Sequence, residues 1–392
     1  MEAPDIPTQH KALVYDNPGS ISTKIQYVDT PRPGVGEVLV KLTHSGLCHS
    51  DMAIMTNRWT ARIEPTPKGQ IGGHEGVGEI VAFGPGAEDQ ISGLKLGSRV
   101  GIKWMAYACC NCIICLAGLD SYLSIHCSGA YVCWQGLREA EFRKVSSTDN
   151  VVDRYFYPGT FQQYAIAPAH YVTPIPDGVP SDMAAPLLCA GLTVYSALRK
   201  AGAEPGDPVL ILGSGGGLGH LALQIGSNGM GYRMMGVDMG DKETISRECG
   251  AEDFFDLAKY GQGGEETLAS DVKAATGGRG VAAVIVCTGH NAAYAQALSL
   301  VRIGGTVVCV GIPEGGEVAM PNATPSQFIY LNAKVVGSSV GNRLEAIQLM
   351  ELAARGKVKT HFQTKKLEDA AEVFELMDKN HLRGRIVFDL HA

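Results

Sequence analysis

The first third of the chain alternates apolar and polar residues in short segments bounded by glycine or proline. The clearest of these segments are 37–42, 76–84 and 98–104. Alternation with a period of two is typical of β-strands that bury one face. No long helical period occurs before about Met183. We therefore predict that the first part of the chain is rich in β-structure.

From Met183 onward, helical and strand-like segments alternate. A helical period over 183–201 stops before Gly202, and the next segment, PVLILG at 208–213, is a continuous apolar run typical of a strand buried on both faces. Alternation of this kind predicts an α/β fold with a parallel, doubly wound sheet. The remaining predicted elements are strands at 232–238, 281–288, 306–311, 334–338 and 385–390, and helices at 242–249, 291–302, 344–354 and 367–379.

Length and charge narrow the classes of function. The 392 residues suffice for about two domains. With 33 basic and 40 acidic side chains, the net charge of -7 argues against nucleic acid and anionic membranes as partners. The longest apolar runs are shorter than the ~20 residues that span a bilayer, and the first ten residues do not resemble a signal peptide. We therefore expect a cytoplasmic protein.

Cysteine spacing points to metal binding. Six of the 11 cysteines lie between Cys109 and Cys133, and Cys109, Cys112 and Cys115 follow one another at the C-x2-C-x2-C spacing of a zinc loop. Three further residues stand apart from this group: Cys48 in GLCHSD, His74 in GGHEGVG and Cys189 in APLLCAG. Two cysteines and a histidine are a ligand set of zinc sites that keep an open position.

A glycine-rich segment predicts a dinucleotide site. The strand at 208–213 continues into GSGGGLG and then into the helical HLALQIG. In this context glycines let the backbone approach a pyrophosphate, and the helix N-terminus supplies unpaired N–H groups. The spacing is imperfect, because Ser214 occupies the first glycine position. Asp238, 19 residues after Gly219, ends the next predicted strand, where a carboxylate accepts ribose hydroxyls and disfavours a 2'-phosphate. We therefore predict NAD rather than NADP.

Seven segments together resemble the zinc-dependent medium-chain alcohol dehydrogenases, in particular their fungal, yeast-type branch. They are CHSD, GGHEGVG, GIKWMAYACCNCIIC, GTFQQYA, PLLCAGLTVY, GSGGGLG and VGSSVGNR. The resemblance implies a GroES-like catalytic domain over 1–190 and 341–392 and a Rossmann coenzyme domain over 191–340. It also implies a homotetramer that transfers a hydride between NAD(H) and a primary or secondary alcohol and its aldehyde or ketone, with zinc as Lewis acid.

The resemblance further implies a role for each matching residue. For the catalytic zinc and proton transfer these are Cys48, His74 and Cys189 as ligands, Glu75 as a transient ligand, Asp51 behind the ligand histidine, Ser50 beside the alcohol and His49 near the pyrophosphate. For NAD they are Gly216, Gly217 and Leu218 at the phosphates, Asp238 and Lys242 at the ribose, Thr193, Val310, Ser338 and Val340 at the nicotinamide, and Arg385 at the pyrophosphate. For a structural zinc they are Cys109, Cys112 and Cys115, with Cys127 as the candidate fourth ligand.

The chain departs from the family pattern in three places. The position of the fourth structural ligand is Leu123, so that Cys127 or His126 takes its place or the metal is weak or lost. The relay histidine is replaced by Ala53, which leaves Ser50 to pass its proton to the cofactor ribose and water or to His49. The charged stretch 132–157 has no counterpart, and is either a lineage insertion or translated sequence that is normally spliced out.

Several alternatives remain open at this point. The substrate pocket draws on the loop 52–67, where Trp59 is a candidate lining residue, and its substrate is a primary alcohol by default. An aldehyde or lactol reductase of a fungal specialised pathway is the alternative within the family. A zinc-free reductase of the same superfamily would lack the set Cys48, His74 and Cys189, and a non-catalytic protein would retain only the fold. Measurement of bound zinc distinguishes these cases.

Overall fold

The computed structural model describes residues 5–59, 65–90, 93–122, 131–132, 158–260, 265–313, 318–379, 381–382 and 384–392. Several features singled out above lie outside these residues: Leu123, His126, Cys127 and nearly all of the stretch 132–157.

The described strands are β1 (Gln9–Tyr15), β2 (Thr23–Asp29), β3 (Glu37–Leu47), β4 (Gln70–Ile71), β5 (Gly76–Phe83), β6 (Arg99–Ile102), β7 (Met105–Tyr107), β8 (Tyr131–Val132), β9 (Tyr164–Pro168), β10 (Thr173–Pro174), β11 (Pro208–Leu212), β12 (Arg233–Asp238), β13 (Asp253–Asp256), β14 (Val281–Val286), β15 (Val301–Cys309), β16 (Lys334–Gly337), β17 (Phe362–Lys366) and β18 (Arg385–Asp389). The described α-helices are α1 (His49–Met55), α2 (Ile113–Leu116), α3 (Ser181–Pro186), α4 (Leu192–Lys200), α5 (Gly219–Gln224), α6 (Glu243–Glu248), α7 (Glu265–Ala275), α8 (Asn291–Leu300), α9 (Pro325–Leu331), α10 (Arg343–Ala354) and α11 (Ala370–Asp378).

The chain forms two compact units. The first comprises Met1–Cys189, Asn342–Ala354 and Phe362–Ala392, and the second comprises Ala190–Gly341 and Arg355–His361. The sequence assigned 355–361 to the same domain as the zinc ligands. The structure groups this segment with the second unit, because the side chain of Gln224 bonds both the N–H and the C=O of Lys359.

The first unit is built on antiparallel strands. Its larger sheet has the order β10-β6-β5-β3-β18-β17, with β9 also paired to β3, and a smaller sheet has the order β2-β1-β4. The apolar residues of β3 enter the core, the consecutive residues Val38–Val40 among them, and Phe161 and Phe388 meet there edge to face with their ring centroids 5.4 Å apart. Burying each such aromatic side chain contributes about 1.5–3 kcal/mol, so that this core fixes the strands from which the candidate ligands project.

The second unit is the predicted parallel, doubly wound sheet. Its order is β13-β12-β11-β14-β15-β16, in which the first strand along the chain lies beside the second and the fourth. Every neighbouring pair is parallel. All six residues of β14 are buried, as the unbroken apolar pattern predicted. The α/β fold class with a β-rich domain and a Rossmann-type domain is confirmed.

The predicted helix over 183–201 is interrupted in the structure. It is divided into α3 (Ser181–Pro186), a π-helical turn (Leu187–Gly191) and α4 (Leu192–Lys200). Pro186 has no N–H to donate, and a π-turn is a common way for a helix to absorb such a break. By length and composition Ser181–Lys200 is, among the described residues, a candidate membrane span, but 78% of its apolar window is buried inside the protein, as in a core helix.

Candidate metal and cofactor sites

Cys48 lies at the junction of a strand and a short helix in the first unit. β3 ends at Leu47, and Cys48 is the extended N-cap residue of α1. Asp51, in the first turn of α1, accepts the Cys48 N–H at its Oδ2 atom at 2.9 Å. This bond satisfies one of the backbone donors at the helix end and fixes the backbone of Cys48.

The other carboxylate oxygen of Asp51 orients His74. Oδ1 accepts the His74 Nδ1–H at 2.9 Å and the Gly73 N–H at 3.2 Å. Because the carboxylate accepts at Nδ1, the lone pair of the neutral ring lies on Nε2. Burial lowers the pKa of His74, but the Asp51 carboxylate outweighs it and leaves that pKa above its usual range. A more basic Nε2 is a better metal ligand.

Three ligand atoms converge beside this pair. Cys189 Sγ lies 3.2 Å from His74 Nε2 and 4.0 Å from Cys48 Sγ. Around a tetrahedral zinc ion with bond lengths of about 2.3 Å to sulfur and 2.0–2.1 Å to nitrogen, ligand atoms lie roughly 3.5–3.8 Å apart. The observed separations lie near this range, one slightly below it and one slightly above it. The chemistry and spacing of these residues therefore fit zinc.

The two thiols of this group influence each other. The hydrogen bond with Cys189 lowers the pKa of Cys48, and burial opposes this effect without cancelling it. The same contact, together with burial, raises the pKa of Cys189. The Cys48 thiolate therefore forms readily, whereas Cys189 keeps its proton. A cation bound between the two sulfur atoms would favour the thiolate form of both.

Glu75 and Arg385 form a buried ion pair next to these ligands. Arg385 Nη2 donates to Glu75 Oε1, with Arg385 8% and Glu75 0% exposed. Burial raises the pKa of Glu75 to about 7 against the opposing charge of Arg385. Glu75 Oε2 has no hydrogen-bond partner within the described part of the chain, although a Glu75 oxygen lies within 4.8 Å of the ligand atoms of Cys48, His74 and Cys189. The predicted contact of Arg385 with a pyrophosphate stays a prediction.

Cys189 reaches this group from the π-helical turn. The turn Leu187–Gly191 inserts an extra residue into the helix and so changes the direction in which the following side chains project. Periodicity predicted an unbroken helix here. The sequence therefore identified Cys189 as a ligand but did not predict the π-helical turn that orients it.

The indole of Trp104 packs on the ligand histidine, a contact that the sequence reasoning missed. The rings of Trp104 and His74 meet edge to face with centroids 4.8 Å apart. The signal was available in the strand register. β5 and β6 are antiparallel with Gly76 opposite Ile102, and the same register continued by two residues places 104 opposite 74.

The residues expected to handle the proton lie on α1. Ser50 Oγ is 3.7 Å from Cys48 Sγ, and His49 is exposed at the start of the helix. Ala53, at the relay position, is fully buried. Trp59 is partly buried against the core of the first unit, whereas residues 60–64 of the expected pocket loop lie outside the described residues.

A second group of sulfur atoms is formed by the closely spaced cysteines. Cys115 Sγ lies 3.8 Å from Cys109 Sγ and 3.6 Å from Cys112 Sγ, and the Cys112 N–H points at Cys109 Sγ at 3.3 Å. Sulfur atoms bound to one tetrahedral zinc lie ~3.8 Å apart. The three thiols therefore fit a metal ion. The interposed Cys110 turns away, with φ +52 and its Sγ near Ala108 O.

Most of the residues expected to bind NAD lie in the second unit, mostly at one edge of the parallel sheet, whereas His49 and Arg385 belong to the first unit. Those at the edge follow the carboxyl ends of four strands, where open α/β sheets bind their ligands. Gly216, Gly217 and Leu218 follow β11, Asp238 ends β12, Lys242 follows in a 3-10 turn, Val310 follows β15, and Ser338 and Val340 follow β16. Thr193 lies on α4 and is 9% exposed.

The glycine turn has the close packing that a dinucleotide site requires. A Cβ on Gly219 would lie 2.1 Å from Gly213 O, so that only glycine lets the helix approach the strand. A Cβ on Gly216 would meet Gly213 O at 3.4 Å, an ordinary contact distance, so the outer side of this residue is open. Asp238 Oδ2 accepts the Gly215 N–H at 2.9 Å, and this bond ties the acid to the turn. The turn and the acid therefore fit a dinucleotide.

Two family descriptions match most of the chain. "Alcohol dehydrogenase GroES-like domain" matches residues 34–177, and "Zinc-binding dehydrogenase" matches residues 217–355. Alcohol dehydrogenase 2 of Emericella nidulans is 51% identical over 392 residues, covering 100% of each chain. The structure of an alcohol dehydrogenase from Aeropyrum pernix matches with 27% identity, a TM-score of 0.77 and 97% and 99% of the two chains covered. Acetophenone reductase from Geotrichum candidum, solved in complex with NAD, matches with 26% identity, a TM-score of 0.74 and 98% of each chain covered.

Proposed function

Since the chain belongs to the family of zinc-binding alcohol dehydrogenases, we propose how its own residues carry out NAD-dependent interconversion of an alcohol and its carbonyl compound. The protein is a zinc- and NAD(H)-dependent oxidoreductase. The observation that carries the assignment to particular residues is the convergence of Cys48, His74 and Cys189 with Asp51 behind the histidine.

Zinc, when bound, supplies Lewis-acid chemistry, and NAD(H), when bound, accepts or donates the hydride. The thiolates of Cys48 and Cys189 and the Nε2 atom of His74 hold the metal. Asp51 keeps the proton on His74 Nδ1 and so keeps Nε2 available. Glu75 Oε2 is buried and has no hydrogen-bond partner among the described residues, which supports the role of Glu75 as an additional, transient ligand.

Ser50 is the residue that we assign to the substrate proton. Its hydroxyl lies on the same turn of α1 as Cys48, 3.7 Å from the sulfur, so that it sits beside the ligand group. With a buried alanine at position 53, the proton leaves Ser50 Oγ toward His49, the exposed neighbour in the chain.

The choice of NAD over NADP rests on Asp238. The carboxylate stands at the end of β12, and its Oδ2 atom accepts the Gly215 N–H of the glycine turn. A negative charge at this place accepts ribose hydroxyls and repels a 2'-phosphate. We assign Lys242, four residues beyond the end of β12 on the adjoining 3-10 turn, to the same ribose.

The finer assignments extend the family relationship. We take the substrate to be a primary alcohol and its aldehyde, the assembly to be a homotetramer and the location to be the cytoplasm. In the loop and short helix at 108–116, here called the lobe, we assign Cys109, Cys112 and Cys115 to a structural zinc. The net charge of -7 supports a small-molecule substrate rather than a polyanion.

The experiment that tests this proposal combines activity with metal analysis. Purified protein is screened with NADH on a series of aldehydes while zinc is measured on the same preparation. We expect reduction of at least one aldehyde class and at least one zinc per chain. Cys189→Ala should abolish turnover and lower the zinc content by one, while NADH still binds. Undiminished turnover in that variant would contradict the metal role of Cys189.

A further inference from the structure

A fully buried histidine in the second unit contacts the glycine turn directly. His220 follows Gly219 in α5 and is 0% exposed. Its Nδ1 atom lies 2.9 Å from Gly216 O, and its Nε2 atom lies 3.3 Å from the backbone N of His361. None of the roles assigned above involves this side chain.

The two contacts determine the state of the ring. Gly216 O can only accept, so the proton is on Nδ1, and the His361 N–H donates, so Nε2 is the acceptor. The neutral imidazole thus satisfies both partners with one donor and one acceptor. Each of these two partners is a backbone group, so the ring links two segments of main chain, and it also meets the His361 ring edge to face with centroids 5.6 Å apart.

The carbonyl of Gly216 is therefore held from two directions. It accepts from His220 Nδ1 at 2.9 Å and from the His220 backbone N–H at 3.2 Å. In a trans peptide the C=O and the following N–H point in opposite directions. Fixing the Gly216 carbonyl toward α5 consequently turns the Gly217 N–H away from it. The backbone of a Gly-Gly peptide is not restrained by Cβ atoms. The two bonds from His220 to Gly216 O therefore restrain the orientation of this peptide instead.

We propose that His220 is a positioning residue of the dinucleotide site, which holds the Gly216–Gly217 peptide so that its N–H faces the diphosphate of NAD(H). The inference rests on the cofactor assignment made above and adds a residue to it. The ligand class is a dinucleotide diphosphate, because an outward N–H in a glycine turn recognises phosphate oxygens.

The far side of the ring is held by the segment Arg355–His361. Gln224, one turn after His220 on the same helix, donates to Lys359 O at 3.0 Å and accepts from Lys359 N at 2.9 Å. His361 then presents its N–H to His220 Nε2. The segment therefore buttresses the ring, and Gln224 offers a way to loosen the buttress without touching the Gly216 carbonyl.

Two substitutions of similar chemistry separate the contacts of His220. In His220→Asn the side-chain amide N–H occupies the place of Nδ1 and keeps the bond to Gly216 O. In His220→Gln the amide reaches the place of Nε2, keeps an acceptor for His361 N and loses the bond to Gly216. Both bury one amide, so a general defect in folding would affect them alike. Gln224→Leu is the matched control, because it removes the bonds to Lys359, together with those to His220 O and Cys249 Sγ, and leaves both bonds to Gly216 O in place.

The readouts are the Kd of NADH by fluorescence titration, the Kd values of ADP-ribose and adenosine by competition, and the thermal midpoint. We expect His220→Gln to weaken NADH and ADP-ribose about tenfold, the equivalent of one hydrogen bond, with adenosine unchanged. His220→Asn should stay near the wild type, and Gln224→Leu should lower the midpoint but not the affinity for NADH. In turnover, the KM for NADH should rise in His220→Gln with little change in kcat.

Three results would overturn the inference: equal Kd values for NADH in wild type and His220→Gln, an equal loss of affinity in Gln224→Leu, or an equal loss for adenosine. A wild-type protein that binds zinc but not NADH would instead contradict the cofactor assignment, and the inference would fall with it.

Discussion

At the scale of single residues, Asp51 shows why the metal group needs a carboxylate behind it. Its two oxygens accept from the Cys48 N–H, the Gly73 N–H and the His74 Nδ1–H. All three partners are donors, and a carboxylate offers only acceptors. An amide would place an NH2 group against one of these donors.

Asp51→Asn should therefore weaken the metal group with little change in side-chain volume. We expect a loss of zinc affinity of about 10–100-fold, as is typical for residues that orient a ligand histidine. Competition with a chromophoric chelator measures it. Asp29→Asn is the control, since Asp29 accepts only from Gln9 at an exposed sheet edge. Equal zinc affinity in wild type and Asp51→Asn would show that the carboxylate is dispensable.

Gly46 is required because Glu75 occupies the space of a side chain. A Cβ at position 46 would lie 2.0 Å from Glu75 Oε2, and Arg385 holds that carboxylate in a buried ion pair. Gly46→Ala should cost about 1–3 kcal/mol of unfolding free energy, as overpacking does. Urea denaturation measures the cost against Gly337→Ala, whose added Cβ meets no atom within 4 Å. Similar midpoints for the two variants would show that Glu75 yields freely.

Much of the metal group could be identified from the sequence, because rare residue types stand in characteristic segments. The contacts among the residues could not. Glu75 and Arg385 are 310 positions apart, and the ring contact of Trp104 depends on the register of two strands. His220 looked like an ordinary helical residue, since its significance lies in two backbone partners that only the folded chain supplies.

At the scale of elements, the cysteine loop between β7 and α2 shows how one residue is excluded from a metal group. Cys110 adopts a left-handed backbone, φ +52, which directs its side chain away from its three neighbours. Cys112 caps α2, which carries Cys115. The loop and the first turn of the helix thus bring Cys109, Cys112 and Cys115 together and leave Cys110 exposed.

Cys112→Ser should therefore remove the lobe metal, and Cys110→Ser should not. We expect the zinc content to fall by one per chain in the first variant and to stay unchanged in the second, measured by atomic emission. Cys127→Ser and His126→Ala test which residue is the fourth ligand. Only the substitution of the residue that binds zinc should lower zinc retention. A wild type with a single zinc, retained in Cys112→Ser, would contradict a metal in the lobe.

Element boundaries were predictable where burial is uniform. β11 and β14 are buried on both faces and were recognised from unbroken apolar runs. β17, with the sequence FQTKK, is largely exposed and carries no such pattern, so it was missed. β15 begins at Val301 rather than at 306, because its first residues pair with β14 across a register shift that no local pattern reveals.

At the scale of the whole molecule, one buried and two partly buried histidines of the first unit couple stability to pH. Burial lowers the pKa of His10, His44 and His170 below the ordinary 6.5. Between the folded and unfolded pKa values the unfolded chain binds more protons than the folded one, so that protonation favours unfolding. The stability associated with these residues is present above pH 6.5 and is lost as the pH falls through the folded pKa values.

The free energy of unfolding should accordingly decrease from pH 7 to pH 5. Each unit by which a pKa is depressed corresponds to about 1.4 kcal/mol. Urea titrations across this range, compared between wild type and His10→Gln, isolate one residue, because any loss of metal at low pH is common to both. We expect a shallower decrease in the variant. A parallel decrease would exclude His10 as a contributor.

The position of β18 in the first sheet has a consequence for synthesis. Ile386 pairs with Leu47 and Val387 with Gly46, so that the second half of β3 waits for a strand 339 residues further along the chain. At about 5–20 residues per second the ribosome needs roughly 20–70 s to deliver it. During that interval part of β3 is an open strand edge of the kind that recruits other chains. The strand that covers this edge in the finished protein is thus among the last segments to be synthesised.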